Sequence, residues 1–239
     1  MGFRGVVLAG GRGSRLGHLT RVTNKHLLPV GQYPMVYHPI KKLVGANITE
    51  IMLISGTEHM GDFVELLGAG RDLGCSLTYR VQDKPGGIAH ALALAEDFCH
   101  NHMSVVLLGD NIFKDKLKLP ILKNEAMIFL NEVAEPQRFG VAEVDSYNGT
   151  IISIEEKPEK PKSNLAVAGV YIYPPDVFDI IKTLEPSVRS ELEITDVNNR
   201  YRELDRLNFW YLDGYWTDAG TYESLLEANK LVAKEPPSY

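Results

Sequence analysis

The chain has 239 residues, a formal net charge of -6, 44% hydrophobic and 23% charged residues, and two cysteines. That length allows one large α/β domain or two small ones, with a core that needs no disulfide or metal staple. The acidic balance and lack of a Lys/Arg-rich block exclude a nucleic-acid surface. Cys75 and Cys99 are too far apart for a zinc ribbon or dithiol motif, so both read as buried thiols. No apolar run approaches the ~20 residues that cross a bilayer. The start has no charged segment followed by an apolar one, and Val6 stands where N-myristoylation needs Ser or Thr, so a cytoplasmic protein without membrane contact is expected.

The first predicted strand, Gly5 to Leu8, opens into Ala9-Gly10-Gly11-Arg12-Gly13-Ser14-Arg15-Leu16. A turn with three glycines lets backbone N–H groups approach a polyphosphate, and Arg12, Arg15 and Lys25 match its charge. A nucleoside triphosphate is the expected ligand. A P-loop would require Gly-Lys-Ser/Thr, and a dinucleotide fingerprint a third glycine at Leu16, so neither fits.

Further apolar runs at Ile51 to Ser55, Leu77 to Val81, Ser104 to Leu108 and Ala126 to Glu132 predict strands, with helices over Met35 to Val44 and Ile88 to Phe98. The alternation indicates βαβ units and a largely parallel sheet. Beyond about residue 135 the texture becomes antiparallel or mixed: strands at Phe139 to Val144, Ile151 to Glu155, Ala166 to Tyr173 and Phe209 to Leu212, and helices at Val177 to Leu184, Thr195 to Arg206 and Tyr222 to Ala233. One domain over 1–239 is expected, with a nucleotide-binding part to about 135 and a sugar-phosphate part from about 136.

Asp110 directly follows a buried strand, the crevice position of a parallel sheet, where it reads as a turn residue or a Mg²⁺ ligand beside substrate phosphates. Asp218 reads either as a cap for the helix near Thr221 or as the second carboxylate of that metal site. Glu156 and Lys157 end a strand; as a solvated cluster they mean little, but a carboxylate for sugar hydroxyls beside an ammonium for phosphate suits a sugar phosphate, with Arg189 as a partner. Gln82 is a surface polar residue or, with Gly86 and Gly87, a reader of a pyrimidine edge that carries an N–H between two carbonyls. The seven histidines show no metal spacing and read as structural or surface residues, and no nucleophile for covalent catalysis stands out.

The segments Leu8-Ala9-Gly10-Gly11-x-Gly13-Ser14-Arg15-Leu16, Asn24 to Val30, Leu108 to Asn111, Glu155 to Pro158 and Glu191 to Asp196 occur in that order across the chain. Together they resemble the glucose-1-phosphate thymidylyltransferases of the sugar nucleotidyltransferase family, in a short form without the C-terminal helical extension. The resemblance implies a Rossmann-like mixed, mainly parallel sheet flanked by helices, of the nucleotide-diphospho-sugar transferase type. It implies the reaction of a nucleoside triphosphate with a sugar 1-phosphate to give a nucleotide sugar and pyrophosphate, Mg²⁺ as cofactor, and a homo-oligomer.

By matching position, the resemblance implies that Leu8, Gly10, Gly11, Gly13 and Arg15 hold the triphosphate, Lys25 the reacting phosphates, and Gln82 and Gly87 the base. It likewise implies Mg²⁺ on Asp110 and Asp218, the sugar on Asn111, Gly140, Glu156 and Val170, and its phosphate on Lys157 and Arg189. Arg15, Lys25, Asp110 and Lys157 are the implied catalytic set. The chain departs from the family pattern at Ser14, Gly17-His18, His26 and Ser190. Two alternatives are a guanine nucleotide with another sugar 1-phosphate, and a catalytically silent sugar-nucleotide-binding regulator.

Overall fold

The computed structural model describes residues 2–11, 13–145 and 147–239; Arg12 of the predicted phosphate loop lies outside them. Its strands are β1 (Phe3–Leu8), β2 (Pro29–Val30), β3 (Tyr33–Pro34), β4 (Glu50–Gly56), β5 (Ser76–Gln82), β6 (Met103–Leu108) and β7 (Asn111–Phe113). There follow β8 (Ala126–Glu132), β9 (Gly140–Asp145), β10 (Thr150–Glu156), β11 (Leu165–Tyr173), β12 (Leu207–Tyr211) and β13 (Trp216–Asp218). The helices are α1 (Tyr37–Gly45), α2 (Met60–Leu67), α3 (Ile88–Ala93), α4 (Glu96–Cys99), α5 (Val177–Lys182), α6 (Ile194–Glu203) and α7 (Tyr222–Lys234).

A nine-stranded sheet runs β10-β9-β11-β6-β1-β4-β5, with β8 on β11 and β12 on β8. The block β6-β1-β4-β5 is parallel, so its strands all end along one edge, where crossover loops leave a crevice. Strand β11 runs antiparallel to β6 and joins the two halves of the chain in one sheet. Its entry and the end of β10 therefore reach the same edge.

Successive residues of β1 and β6 face opposite sides of the sheet. Val6 and Val106 pack with α3 to α6, whereas Val7, Leu53 and Leu107 pack with α1 and α2. Each fully buried aliphatic side chain contributes about 1.5–3 kcal/mol relative to exposure. The same alternation places Tyr171 in the first layer and Val170 in the second. Helix α7 starts at a capping box in which Thr221 and Ser224 satisfy each other's backbone N–H groups.

Four differences from the sequence expectation are physical. The predicted helix 88–98 breaks at Leu94 and Ala95, whose backbone N–H groups bond three residues back, leaving two short helices. Ala126 to Glu132 is a strand, but it pairs antiparallel with β11 and parallel with β12, outside the βαβ block. Helix α2 and the short pairs β2–β3 and β7–β13 were not expected, being too short or too weakly periodic to stand out. Asp218 does not cap α7, because Thr221 does.

Candidate active site

The crevice begins where β1 and β6 end. Lys25 opens a single 3-10 turn over residues 25–27 that Asn24 caps through a hydrogen bond from the His26 backbone N–H to its Oδ1, 2.9 Å. The same Oδ1 accepts from the His26 ring Nδ1 at 2.7 Å. Pinned in this way, Lys25 points its Nζ beneath Gly11 and into an ion pair with Asp110. Its side chain is only 11% exposed and that of Asp110 13%, so neither charge is well solvated and each requires the other.

Burial opposes ionisation of Asp110, but the Lys25 ammonium and hydrogen bonds from Lys25 and Asn111 together hold its carboxyl well below the usual range. His26, buried beside this pair, is pushed down to about 3, first by burial and then by the Lys25 charge. It is a neutral imidazole in the crevice wall.

Asp218 arrives through β13, which pairs with β7 so that Asp218 lies opposite Asn111. The backbone N–H of Ala219 donates to the Asp110 carbonyl at 2.8 Å. A Cβ on Gly220 would stand 3.1 Å from Arg15 Nη2, 3.2 Å from Asp218 Oδ2 and 3.5 Å from Asp110 Oδ2. Two carboxylates and a guanidinium thus crowd one small residue. Burial, then the neighbouring Asp110 charge, raise Asp218 to about 6 against the pull of Arg138, Arg15 and Lys25.

Asn111 spends its side chain inside the protein. Its Oδ1 accepts from the Gly169 N–H at 2.8 Å and from Trp216 Nε1 at 2.6 Å, and its Nδ2 donates to Asp110 Oδ1 at 2.9 Å. It orients Asp110 and ties β7, β11 and β13 together.

On the far side, Glu156 at the end of β10 gathers the other predicted residues. Its Oε1 lies 3.2 Å from Lys157 Nζ and 3.1 Å from Arg189 Nη2, and its Oε2 accepts from Thr195 Oγ1 at 2.6 Å. Arg189 also forks onto Glu193, with Nε 3.1 Å from Oε1 and Nη2 2.7 Å from Oε2.

A recess of about 260 Å³ is lined by Gly10, Gly11, Lys25, Gln82, Gly87 and Arg189, among others. A second, of about 210 Å³, is lined by Asp110, Gly140, Glu156, Tyr171, Thr195 and Asp218, among others. They share Asp110, Glu156 and Lys157.

Gln82 is buried rather than a surface residue. Its Nε2 donates to His90 Nδ1 at 2.8 Å and its Oε1 faces Gly10, so the amide is held in one orientation. Gly87 has φ +95°, and a Cβ there would run into the Leu192 backbone, which fixes glycine at this wall.

The fold therefore brings Leu8, Gly10, Gly11, Lys25, Gln82 and Gly87 to one recess, and Arg15, Asp110, Asn111, Gly140, Glu156, Lys157 and Asp218 to the other. Gly13, where a Cβ would stand 2.9 Å from Lys25 Cβ and 3.0 Å from Thr20 Cγ2, lines neither. The Val170 side chain is fully buried on the α1 face, while its neighbours Gly169 and Tyr171 line the recess.

Sequence reasoning missed Arg138, which meets Asp218, and took His26 and His90 for structural or surface residues. Arg138 carried no local signal, since its partner lies 80 residues away. Departure from the family pattern at His26 was the available hint.

The model of the family described as nucleotidyl transferase matches residues 4–235. The chain belongs to that family. It is 43% identical over 238 residues to a glucose-1-phosphate thymidylyltransferase of Neisseria meningitidis, covering 96% of this chain and 82% of that one. A Bacillus anthracis crystal structure, assigned as a glucose-1-phosphate thymidylyltransferase and solved in complex with sucrose, superposes with TM-score 0.90 and 52% identity over 99% of this chain and 96% of that one. A UDP-glucose pyrophosphorylase in complex with UDP-glucose shares the fold, with TM-score 0.83 at 24% identity over 98% of this chain and 99% of that one. Among the described residues no helix is long and apolar enough to cross a membrane.

Proposed function

We propose that the chain joins thymidine triphosphate to glucose 1-phosphate, releasing pyrophosphate. The reaction class is nucleotidyl transfer to a sugar 1-phosphate. The observation that supports this arrangement best is the position of Lys25, Asp110 and Asp218 between a glycine-walled recess and one bearing Glu156 and Lys157. The sugar-phosphate oxygen attacks the α-phosphorus, the bond to the bridging oxygen breaks, and pyrophosphate leaves with the electron pair. Such a displacement requires positioning and charge neutralisation rather than a protein nucleophile.

Lys25 and Arg15 neutralise the triphosphate, and Lys157 and Arg189 exchange Glu156 for the sugar phosphate. The Gln82 amide, fixed by His90, offers Oε1 to a pyrimidine N–H and its remaining Nε2–H to a carbonyl. This complementarity and the names of the relatives favour a thymine or uracil nucleotide over a guanine one.

The donor set fits Mg²⁺. Among the described residues no group of three His, Cys, Asp or Glu converges as a closed cage, whereas Asp110 and Asp218 offer two hard carboxylates, the number Mg²⁺ uses when phosphates complete its shell. When bound there, Mg²⁺ offsets the charge of two anions brought together.

The test is a pyrophosphate-release screen of thymidine, uridine and guanosine triphosphates against several sugar 1-phosphates with Mg²⁺. Fastest release from the thymidine and glucose pair is expected. Release led by GTP would overturn the base reading, and none from any pair would overturn the activity.

A further inference from the structure

We propose that Arg138 is the resident counter-ion of Asp218 and makes metal binding at the Asp110 and Asp218 pair depend on the nucleotide. The site accepts a divalent cation that arrives with a triphosphate and disfavours one that arrives alone. This inference rests on those two carboxylates being the metal pair.

Arg138 Nη2 lies 3.1 Å from Asp218 Oδ1 and 3.4 Å from Oδ2, so one guanidinium nitrogen covers the carboxylate edge that a cation would use. The arrangement is supported from behind. Arg138 ends the 3-10 turn Pro136–Arg138, its guanidinium lies 5.2 Å from the Phe139 ring centroid, and Phe139 packs edge-on against Trp216 at 5.1 Å, two residues before Asp218.

Charge explains the consequence. Asp110, Asp218 and Glu135 carry three negative charges, and Lys25, Arg138 and Arg15 carry three positive ones around them. A free divalent ion entering this balanced group must displace Arg138 from Asp218, whereas one carried by a triphosphate enters with a net negative ligand that compensates the displaced cation. Arg138 also has somewhere to go. Beside it lies a recess of about 650 Å³ between α7 and the 132–139 segment, lined by Glu135, Glu223 and Glu227. Arg138 Nη1 already lies 3.4 Å from Glu135 Oε2, and a displaced guanidinium would find Glu223 and Glu227 beyond it.

The experiment measures protein-bound Mn²⁺ by water-proton relaxation enhancement, without and with thymidine triphosphate and with no sugar phosphate present. Arg138→Gln is expected to bind Mn²⁺ alone about tenfold more tightly than the parent, and the further gain on adding nucleotide shrinks accordingly. Arg138→Lys, which keeps the charge but not the packing on Phe139, is expected to tighten Mn²⁺ binding less than Arg138→Gln does.

Loss of packing would not tighten metal binding, so the direction separates this role from a structural one. Unchanged or weaker Mn²⁺ binding in Arg138→Gln overturns the inference, as does equal tightening in Arg138→Lys. Asp218→Asn identifies which reading fails. If it keeps the parent's nucleotide-dependent enhancement, the carboxylate pair is not the metal site and both readings fall. If it loses that enhancement while Arg138→Gln behaves as the parent, only the role of Arg138 falls.

Discussion

Two regions of the crevice are built differently. The glycine-walled recess is shaped by backbone at the ends of parallel strands, with Gly10, Gly11 and Gly87 leaving room and Gln82 held in one orientation by His90. Where the two recesses meet lies a network of side chains already paired with one another: Lys157 and Arg189 share Glu156, and Arg189, which lines the glycine-walled recess, also forks onto Glu193. The glycine wall keeps its shape through backbone, whereas an anion reaching the network has to displace carboxylates from their cations.

The comparison breaks most severely where the two sides meet. Lys25→Ala and Asp110→Asn are expected to lower turnover by about 10³-fold or more, read as pyrophosphate release from protein whose circular dichroism is unchanged. Near-normal turnover in either would remove the Lys25 and Asp110 pair from the chemistry.

Arg189→Ala tests the network of paired charges. It is expected to lower kcat/KM for the sugar 1-phosphate by about 10²-fold while leaving the KM for the nucleotide within about twofold. Equal effects on both substrates would show that the recesses are not separable. On the opposite wall, Gln82→Leu is expected to raise the KM for thymidine triphosphate by about tenfold and to leave the sugar-phosphate KM alone, measured in the same assay.

A stability measurement examines the shared edge. Asp218 titrates at about 6 in the folded chain against about 3.9 for an unperturbed Asp. Between those values the folded state holds the extra proton, so the contribution of Asp218 to stability falls as pH rises from about 4 to about 6 and levels off above. His26 and His38, held down to about 3 and about 4 by burial, contribute the opposite slope over the same range. Urea denaturation in EDTA should therefore show the Asp218 contribution as a difference between the parent and Asp218→Asn that changes by about 1–3 kcal/mol between about pH 4 and pH 6; a constant difference would contradict it.

The smallest expected effect lies in the side-chain network. Ser190 has φ +58°, a left-handed conformation that suits glycine, so Ser190→Gly should raise stability by about 0.5–1 kcal/mol. A lower melting temperature would contradict this.

Much of the architecture was legible in the chain. The continuous apolar runs of β1, β4 and β6 are what strands buried on both faces require, and the glycine turn after β1 was legible as a wall of the crevice without any partner in view. The position of Asp110 just past β6 was equally local. Short elements were not legible: β7 and β13 are three residues each and are strands only because they pair with each other.

Long-range proximity was beyond sequence pattern. Whether Asp218 caps a helix or faces Asp110 depends on the pairing of β13 with β7, a hundred residues apart in sequence. The direction of Val170 depends on which face of β11 each layer covers, because a one-residue step along a strand reverses the side chain.

By itself, then, the sequence determined what local chemistry can encode: apolar runs for a buried sheet, a glycine turn at the end of β1, and carboxylates and cations placed at strand ends. Only the tertiary structure decided which charges meet. It paired Lys25 with Asp110, Arg138 with Asp218 and Arg189 with Glu193, and it buried His26 until the imidazole became neutral. Charge interaction and desolvation depend on distance and burial through space. Neither can be read from spacing along the chain.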